Sequence, residues 1–211
     1  MTDAASVRKA FGYLFENEFE ALRDIVREDL PQYPVIVNIG AGAGTSGLLF
    51  LETRLDTTVY TIDITNESSP FGCLEGERVV VKQAGLGHLA GTRWHQIHGD
   101  SKDVARTWPE NMPVDLLFID GDHSYEGCWG DLALWYPHMN PGSIVAVHDY
   151  YKEQDYAQKN PMMSITDEIR ATVIKPYPGV DRAVDDFLRG LNDPVVWVVE
   201  TTLFFQVPYI K

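Results

Sequence analysis

The chain has 211 residues, 45% of them hydrophobic, which is enough to bury the core of a single α/β domain. Its formal net charge of −14 argues against a nucleic acid or an anionic membrane as partner, because phosphate groups are bound through Lys and Arg. No apolar run approaches a membrane span, the first residues lack a signal-peptide pattern, and Cys73 and Cys128 lack disulfide or metal-ligand spacing. We therefore expect a cytoplasmic protein that acts on a small molecule.

The first predicted elements are a helix, a strand and a second helix. Apolar residues recur at helical spacing through Ala4–Leu30, which predicts a helix that packs over a sheet. The apolar run Pro34–Ile39 predicts a buried strand, and it is followed by the glycine-rich loop Gly40–Gly44 and the helix-like segment Thr45–Glu52. Strand, glycine turn and helix in this order suit a cofactor laid across a helix N-terminus, because glycine lets the backbone approach closely.

A second predicted strand, Thr58–Ile62, ends at Asp63. An acidic residue roughly 20 positions after a glycine loop is placed to accept hydrogen bonds from a ribose diol. The glycine loop alone would be weak evidence. Together with the following helix and Asp63 it predicts a nucleoside-containing cofactor.

The remainder of the chain alternates helix-like and strand-like segments. The further predicted helices are Arg78–Ala90, Lys102–Thr107, Tyr125–Trp135, Met162–Ile174 and Val180–Leu191. The further predicted strands are Arg93–His98, Pro113–Ile119, Ser143–His148, Val195–Glu200 and Leu203–Val207, the last two close enough to form a hairpin. This alternation predicts one α/β domain over residues 1–211, with an N-terminal cap helix in 1–31 and the core in 34–211.

The densest set of ionisable residues follows two of these strands. The apolar run Val114–Ile119 ends in Asp120-Gly121-Asp122-His123, and the run Ile144–Val147 ends in His148-Asp149. In an open α/β sheet, ligands bind at the carboxyl ends of the strands. Three carboxylates and two imidazoles at one rim therefore indicate a functional site.

With these features the chain resembles a class I S-adenosylmethionine-dependent methyltransferase. Five β/α units precede a hairpin, and the sequences FIDGDHSYEG and VHDYY resemble a bacterial small-molecule subfamily. That subfamily is related to metal-dependent O-methyltransferases acting on catechols, sugars and macrolides, and the resemblance covers Pro34–Tyr151. It implies a Rossmann-like fold: a seven-stranded, mostly parallel sheet with helices on both faces and a C-terminal antiparallel hairpin.

The resemblance also implies which residues bind S-adenosylmethionine. Asp63 would bind both ribose hydroxyls, Asp100 would accept the adenine amino group, and the Ser101 backbone would lie at the ring nitrogen. Asn38 stands where the family usually has an acidic residue, so it would meet the cofactor ammonium without a full negative charge and affinity would be modest. The residues implied at the methionine end are the loop glycines Gly40, Gly42 and Gly44.

The resemblance also implies a second set of residues, which would bind a metal ion and act as the catalytic base. Asp120 and Asp149 fall on metal-ligand positions, while His148 stands where a carboxylate is expected. Mg²⁺ prefers oxygen ligands, and a histidine there would suit Mn²⁺, Fe²⁺ or Zn²⁺ better, so Mg²⁺ or Mn²⁺ is an open expectation. His123 matches the position of a basic lysine in catechol-type relatives and could deprotonate an acceptor hydroxyl near neutral pH.

The leading hypothesis is methyl transfer from S-adenosylmethionine to a hydroxyl group of a small molecule. An NAD-dependent oxidoreductase is a second hypothesis, although Gly40-x-Gly42-x-Gly44 does not match the G-x-G-x-x-G pattern. A catalytically silent scaffold that keeps the cofactor fold is a third. The acceptor and a homo-oligomeric state both remain open at the level of sequence.

Overall fold

The computed structural model describes residues 14–67, 72–150 and 179–209. The strands are β1 (Val35–Ile39), β2 (Thr58–Asp63), β3 (Trp94–His98), β4 (Val114–Ile119), β5 (Met139–Val147), β6 (Val195–Val199) and β7 (Thr202–Gln206). The α-helices are α1 (Glu16–Asp24), α2 (Thr45–Thr53), α3 (Leu74–Gln83), α4 (Ser101–Arg106), α5 (Tyr125–Trp135) and α6 (Val180–Arg189). None of these helices is long and apolar enough to cross a membrane.

The seven strands form one sheet in the order β3-β2-β1-β4-β5-β7-β6. The strands β1 to β5 are parallel to one another, and β7 pairs antiparallel with both β5 and β6. This confirms the predicted Rossmann-like architecture and its C-terminal hairpin. Strand order reverses between β1 and β4, and in such a sheet the crevice at that point is where ligands bind. Because β1, β2, β4 and β5 run the same way, their carboxyl ends share one edge.

The sheet is covered on both faces, which explains why its central strands are almost continuously apolar. Along β4, Leu116 and Phe118 face a core with α1, α2 and α3, while Leu117 and Ile119 face a core with α4, α5 and α6. All four side chains are fully or nearly fully buried. Burying apolar surface stabilises the fold by roughly 25 cal/mol per Å². These side chains therefore hold β4 in place, and with it the residues that follow its carboxyl end.

The structure differs from the prediction mainly at element ends. Helix α1 spans only Glu16–Asp24 of the predicted Ala4–Leu30, and a π-helical turn continues it; residues 1–13 lie outside the described part. Helix α3 begins at Leu74 instead of Arg78 because Cys73 Sγ accepts a hydrogen bond from the Gly76 amide and caps the helix. The predicted helix Met162–Ile174 also lies outside the described residues.

Candidate functional site

The glycine loop brings the ends of β1 and β4 into contact. Gly40 has a φ of +94°, and a Cβ atom there would overlap the carbonyl oxygen of Asp120. A glycine is therefore required on both conformational and steric grounds. Gly44, with a φ of +84°, precedes the first residue of α2, and a Cβ atom there would lie 2.7 Å from Glu77 Cα. The loop is thus held close to the acidic end of β4.

Asp63 is fixed at the end of β2 by two backbone donors. The Ala41 amide donates to its Oδ2 at 2.8 Å, and the Thr65 amide donates to its Oδ1 at 2.7 Å. These bonds hold the carboxylate against the glycine loop, while its contact with a ribose stays a prediction. It lines the same cavity as the loop.

This inner cavity has a volume of about 390 Å³ and runs along the carboxyl ends of β1, β2 and β4. Five of the residues predicted to bind the cofactor line it: Gly40, Gly42, Asp63, Asp100 and Ser101. Gly44 is absent from the described lining, and so is Asn38, whose side chain is fully buried and donates from Nδ2 to Thr61 Oγ1 at 3.3 Å. A direct contact between Asn38 and the cofactor therefore stays a prediction.

Glu77 is a buried acid near this loop that the sequence analysis did not single out. The Thr61 hydroxyl donates to it at 2.7 Å, Trp94 Nε1 donates at 3.3 Å, and Gln96 Nε2 is a third donor. Burial raises the pKa of Glu77 to about 7, and the charge of Asp63 adds to this effect. Its place in an amphipathic helix gave no sign of this environment.

Asp120, His123 and Asp149 form a cluster at the ends of β4 and β5. His123 Nε2 lies 3.1 Å from Asp149 Oδ2 and 3.4 Å from Asp120 Oδ1. One ligand atom from each of the three residues lies within 4.8 Å of the others, which is close enough to share a metal ion. Asp149 has a φ of 58°, a sparsely populated conformation for a residue other than glycine, and such outliers concentrate at functional sites.

Within this cluster, burial and the neighbouring charges shift the pKa values of Asp120 and His123 in opposite directions. Burial favours neutral Asp120, but the imidazoles of His148 and His123 outweigh it and hold the pKa of Asp120 below its usual range. Burial also favours neutral His123, but the carboxylates of Asp120 and Asp149 outweigh it and raise the pKa of His123. Without a bound cation the imidazolium form of His123 is therefore favoured.

His148 lies behind the cluster. Its Nδ1 is 3.2 Å from Asp120 Oδ1 and 3.5 Å from Asp149 Oδ2, and its Nε2 is 3.4 Å from Glu18 Oε2. Although burial alone would lower it, the surrounding carboxylates raise the pKa of His148 well above its ordinary value. Glu18 comes from α1, is fully buried and also accepts a hydrogen bond from the Thr201 amide at 2.8 Å. Nothing in the local sequence around Glu18 or His148 indicates this partnership.

A second, outer cavity of about 850 Å³ opens on the other side of His123. It shares the stretch Gly121–His123 with the inner cavity, and its other described lining residues are Ser124, Tyr125, Glu126, Arg182 and Asp186. Tyr125 donates to Asp186 Oδ2 at 3.1 Å, and the Arg182 guanidinium lies 5.7 Å from the centre of the Tyr125 ring. His123 therefore lines both cavities at the stretch that they share.

Comparisons with known proteins give a family match over more than half of the chain. A family model described as "Methyltransferase domain" matches residues 37–150. An uncharacterized protein, R132, of Acanthamoeba polyphaga mimivirus is 28% identical over 176 residues, which are 79% of this chain and 75% of that protein. The segment of this chain that the family model matches contains both the glycine loop and the cluster of Asp120, His123 and Asp149.

Solved structures share the whole fold at low identity. The O-methyltransferase TomG from Streptomyces achromogenes, solved with S-adenosylmethionine, has a TM-score of 0.66 at 17% identity, covering 98% of this chain and 88% of that one. The mycinamycin methyltransferase MycE, solved with Mg, S-adenosylhomocysteine and mycinamycin VI, has a TM-score of 0.55 at 18% identity, covering 98% and 53%. These similarities support the fold, and the family model supports the activity. The chain therefore belongs to the class I S-adenosylmethionine-dependent methyltransferases.

Proposed function

We propose that this enzyme transfers the methyl group of S-adenosylmethionine to a hydroxyl oxygen of a small molecule. The observation that carries the proposal is the position of His123, which lines both the inner and the outer cavity. In-line displacement needs the acceptor oxygen and the methyl carbon to be aligned, and two cavities that meet at one residue favour that alignment. The outer cavity, about 850 Å³, is in the usual range for small-molecule sites.

The inner cavity would hold the cofactor. Gly40 and Gly42 let the backbone approach the methionine portion, while the fixed carboxylate of Asp63 would accept hydrogen bonds from the ribose hydroxyls. Asp100 and Ser101 line the far end, where the adenine would lie. These assignments agree with the residues that the family resemblance implies.

In this reaction the acceptor hydroxyl gives its proton to His123 Nε2 and the oxygen lone pair attacks the methyl carbon. The carbon–sulfur bond breaks as the oxygen–carbon bond forms, its electrons go to sulfur, and S-adenosylhomocysteine is released. A base must start neutral, whereas Asp120 and Asp149 favour the imidazolium form of His123. A cation at the cluster would offset these carboxylates and keep His123 neutral.

The cluster residues fit a divalent metal ion. Asp120 and Asp149 supply carboxylate oxygens and His123 supplies a nitrogen, a mixed donor set that suits Mn²⁺, Fe²⁺ or Zn²⁺ better than Mg²⁺. When bound, the metal would lower the pKa of a coordinated acceptor hydroxyl. His123 Nε2 cannot bind the ion and accept the proton at the same time, so metal ligation and base catalysis are competing roles for this atom.

The decisive experiment measures methyl transfer from labelled S-adenosylmethionine to a panel of small hydroxylated acceptors, before and after exhaustive chelation. Cofactor binding is followed separately by calorimetry with S-adenosylhomocysteine. Turnover with an oxygen-methylated product supports the proposal. Cofactor binding without turnover of any acceptor would favour the catalytically silent scaffold, and methyl transfer only to nitrogen or carbon nucleophiles would refute the hydroxyl assignment.

A further inference from the structure

The end of the inner cavity that would hold adenine contains an acid whose carboxylate already has other partners. Asp100 Oδ1 accepts a hydrogen bond from the Lys102 amide at 2.8 Å, which caps α4, and lies 3.2 Å from Lys102 Nζ. These partners lower the pKa of Asp100, and its side chain is 47% exposed. A nucleobase would have to compete with the helix cap, the lysine and water for this carboxylate.

A second acid lines the inner cavity from α5, the helix that packs against α4. Asp131, on α5, is only 1% exposed yet is part of the cavity wall. Among the described residues only the Ser101 hydroxyl donates a hydrogen bond to it, at Oδ1, which leaves Oδ2 available. A buried carboxylate with one neutral donor is costly, so a further donor would stabilise it.

The packing of the two helices places this acid. Helices α4 and α5 pack against each other so closely that a Cβ atom at Gly130 would lie 2.8 Å from Cδ of the flexible Lys102 side chain. That approach brings the next residue, Asp131, into contact with Ser101 at the first position of α4. The backbone N–H groups of the first turn of a helix have no acceptor within the helix. The family resemblance implies that the Ser101 amide meets an adenine ring nitrogen, and the Asp131 carboxylate would then be an acceptor beside it.

We infer that Asp131 recognises adenine by accepting a hydrogen bond from its exocyclic amino group. Adenine carries a ring-nitrogen acceptor next to that amino donor, which is the complement of the Ser101 amide and Asp131. A charge-assisted bond to a buried carboxylate is stronger than one to an exposed and already paired acid. This inference rests on the proposed cofactor site, deepens it, and is independent of which acceptor is methylated.

The first test compares two ligands by calorimetry. S-adenosylhomocysteine has the amino group, whereas S-inosylhomocysteine has a carbonyl oxygen there and would place an acceptor against Asp131. We expect the wild type to bind S-adenosylhomocysteine at least tenfold more tightly than the inosyl analogue, since losing a hydrogen bond to a charged group typically costs a factor of about ten or more. Asp131→Asn, whose amide can donate, should narrow this preference to a few-fold or reverse it.

The matched control is Asp103→Asn on α4, because the Asp103 side chain is 78% exposed and pairs with Arg106 away from the cavity lining. It should bind both ligands as the wild type does. Thermal unfolding of each variant shows whether it is folded. Should Asp131→Asn fail to fold, the ligand preference and pH profile of the wild type still test the inference.

The pH profile gives a readout that a purely structural role for Asp131 would not move. Burial raises the pKa of Asp131 to about 6; Asp100 and Asp122 add to this, while Ser101 and Lys102 oppose it. The charge-assisted bond needs the ionised carboxylate, and with a pKa of about 6 the ionised fraction grows roughly tenfold from pH 5 to pH 7. Wild-type affinity should therefore rise by up to about tenfold over this range. Asp131→Asn should lose that increase.

The outcomes separate the inference from the cofactor assignment. If wild-type protein does not bind S-adenosylhomocysteine, the cofactor assignment itself is wrong. If it binds with no preference over the inosyl analogue or no rise between pH 5 and 7, or if folded Asp131→Asn keeps the wild-type preference and slope, Asp131 does not recognise adenine. The bond from Ser101 would then only join α4 to α5.

Discussion

Replacing Glu77 with glutamine should remove a specific pH dependence of folding stability. The carboxyl group is completely buried, and its pKa is raised from 4.5 to about 7 mainly by burial. Between these values the folded protein holds a proton that the unfolded chain has released, so the stabilisation is complete below pH 4.5 and is lost as pH rises through 7. The shift of about 2.5 pKa units corresponds to about 3 kcal/mol, of which most is lost between pH 5 and pH 8.

Denaturant unfolding at pH 5, 6, 7 and 8 measures this effect as the difference in unfolding free energy between wild type and Glu77→Gln. We expect that difference to move by about 2–3 kcal/mol in favour of the variant as pH rises. At pH 5 the variant and the wild type already differ in stability, because the glutamine amide group meets donors such as Trp94 Nε1. Only the change of this difference with pH therefore tests the pKa of Glu77. Glu75→Gln, on the exposed side of the same helix and paired with Arg78, is the control. Parallel curves for wild type and Glu77→Gln would refute the reasoning.

Three further predictions concern the catalytic rim. Asp63→Ala should weaken S-adenosylhomocysteine binding by at least tenfold in calorimetry, because hydrogen bonds to a charged acceptor are worth roughly 1.5–3 kcal/mol each; unchanged affinity would remove Asp63 from the site. His123→Ala should lower turnover by roughly 10²–10⁴ in a radiolabel assay while cofactor affinity is kept, and near-normal turnover would make His123 a turn residue. If Asp120 and Asp149 share an ion, activity should fall with EDTA and return with Mn²⁺ or Mg²⁺, whereas full activity after chelation would leave His123 as the sole base.

The strand ends could be predicted from the sequence because they obey simple rules. The central strands β4 and β5 end in apolar runs, so the first polar residues after them, Asp120 and His148, mark the rim. The glycine loop could be predicted because a strand, a glycine-rich turn and a helix follow one another in the sequence, and the structure adds that a Cβ atom at Gly40 would overlap the Asp120 carbonyl oxygen. Strand order then brings these positions together, since β1 lies between β2 and β4.

The partners of the rim residues could not be predicted in the same way. Glu18 and His148 are 130 positions apart, and nothing in either local pattern indicates that they meet. Glu77 and Asp131 lie on helices where an acidic residue usually faces water. Their burial follows from how α3 and α5 pack against other elements; α3, for example, lies so close to the loop that a Cβ atom at Gly44 would be 2.7 Å from Glu77 Cα.

The position of His148 changes the expected division of roles at the rim. A histidine binds a metal ion through an unprotonated ring nitrogen that faces the ion. Here both ring nitrogens face carboxylates: Nδ1 faces Asp120 and Asp149, and Nε2 faces Glu18. This geometry favours a doubly protonated ring that orients the two aspartates from behind. The nitrogen within reach of a shared ion then belongs to His123, so occupancy of the cluster and the availability of the base are linked through one atom.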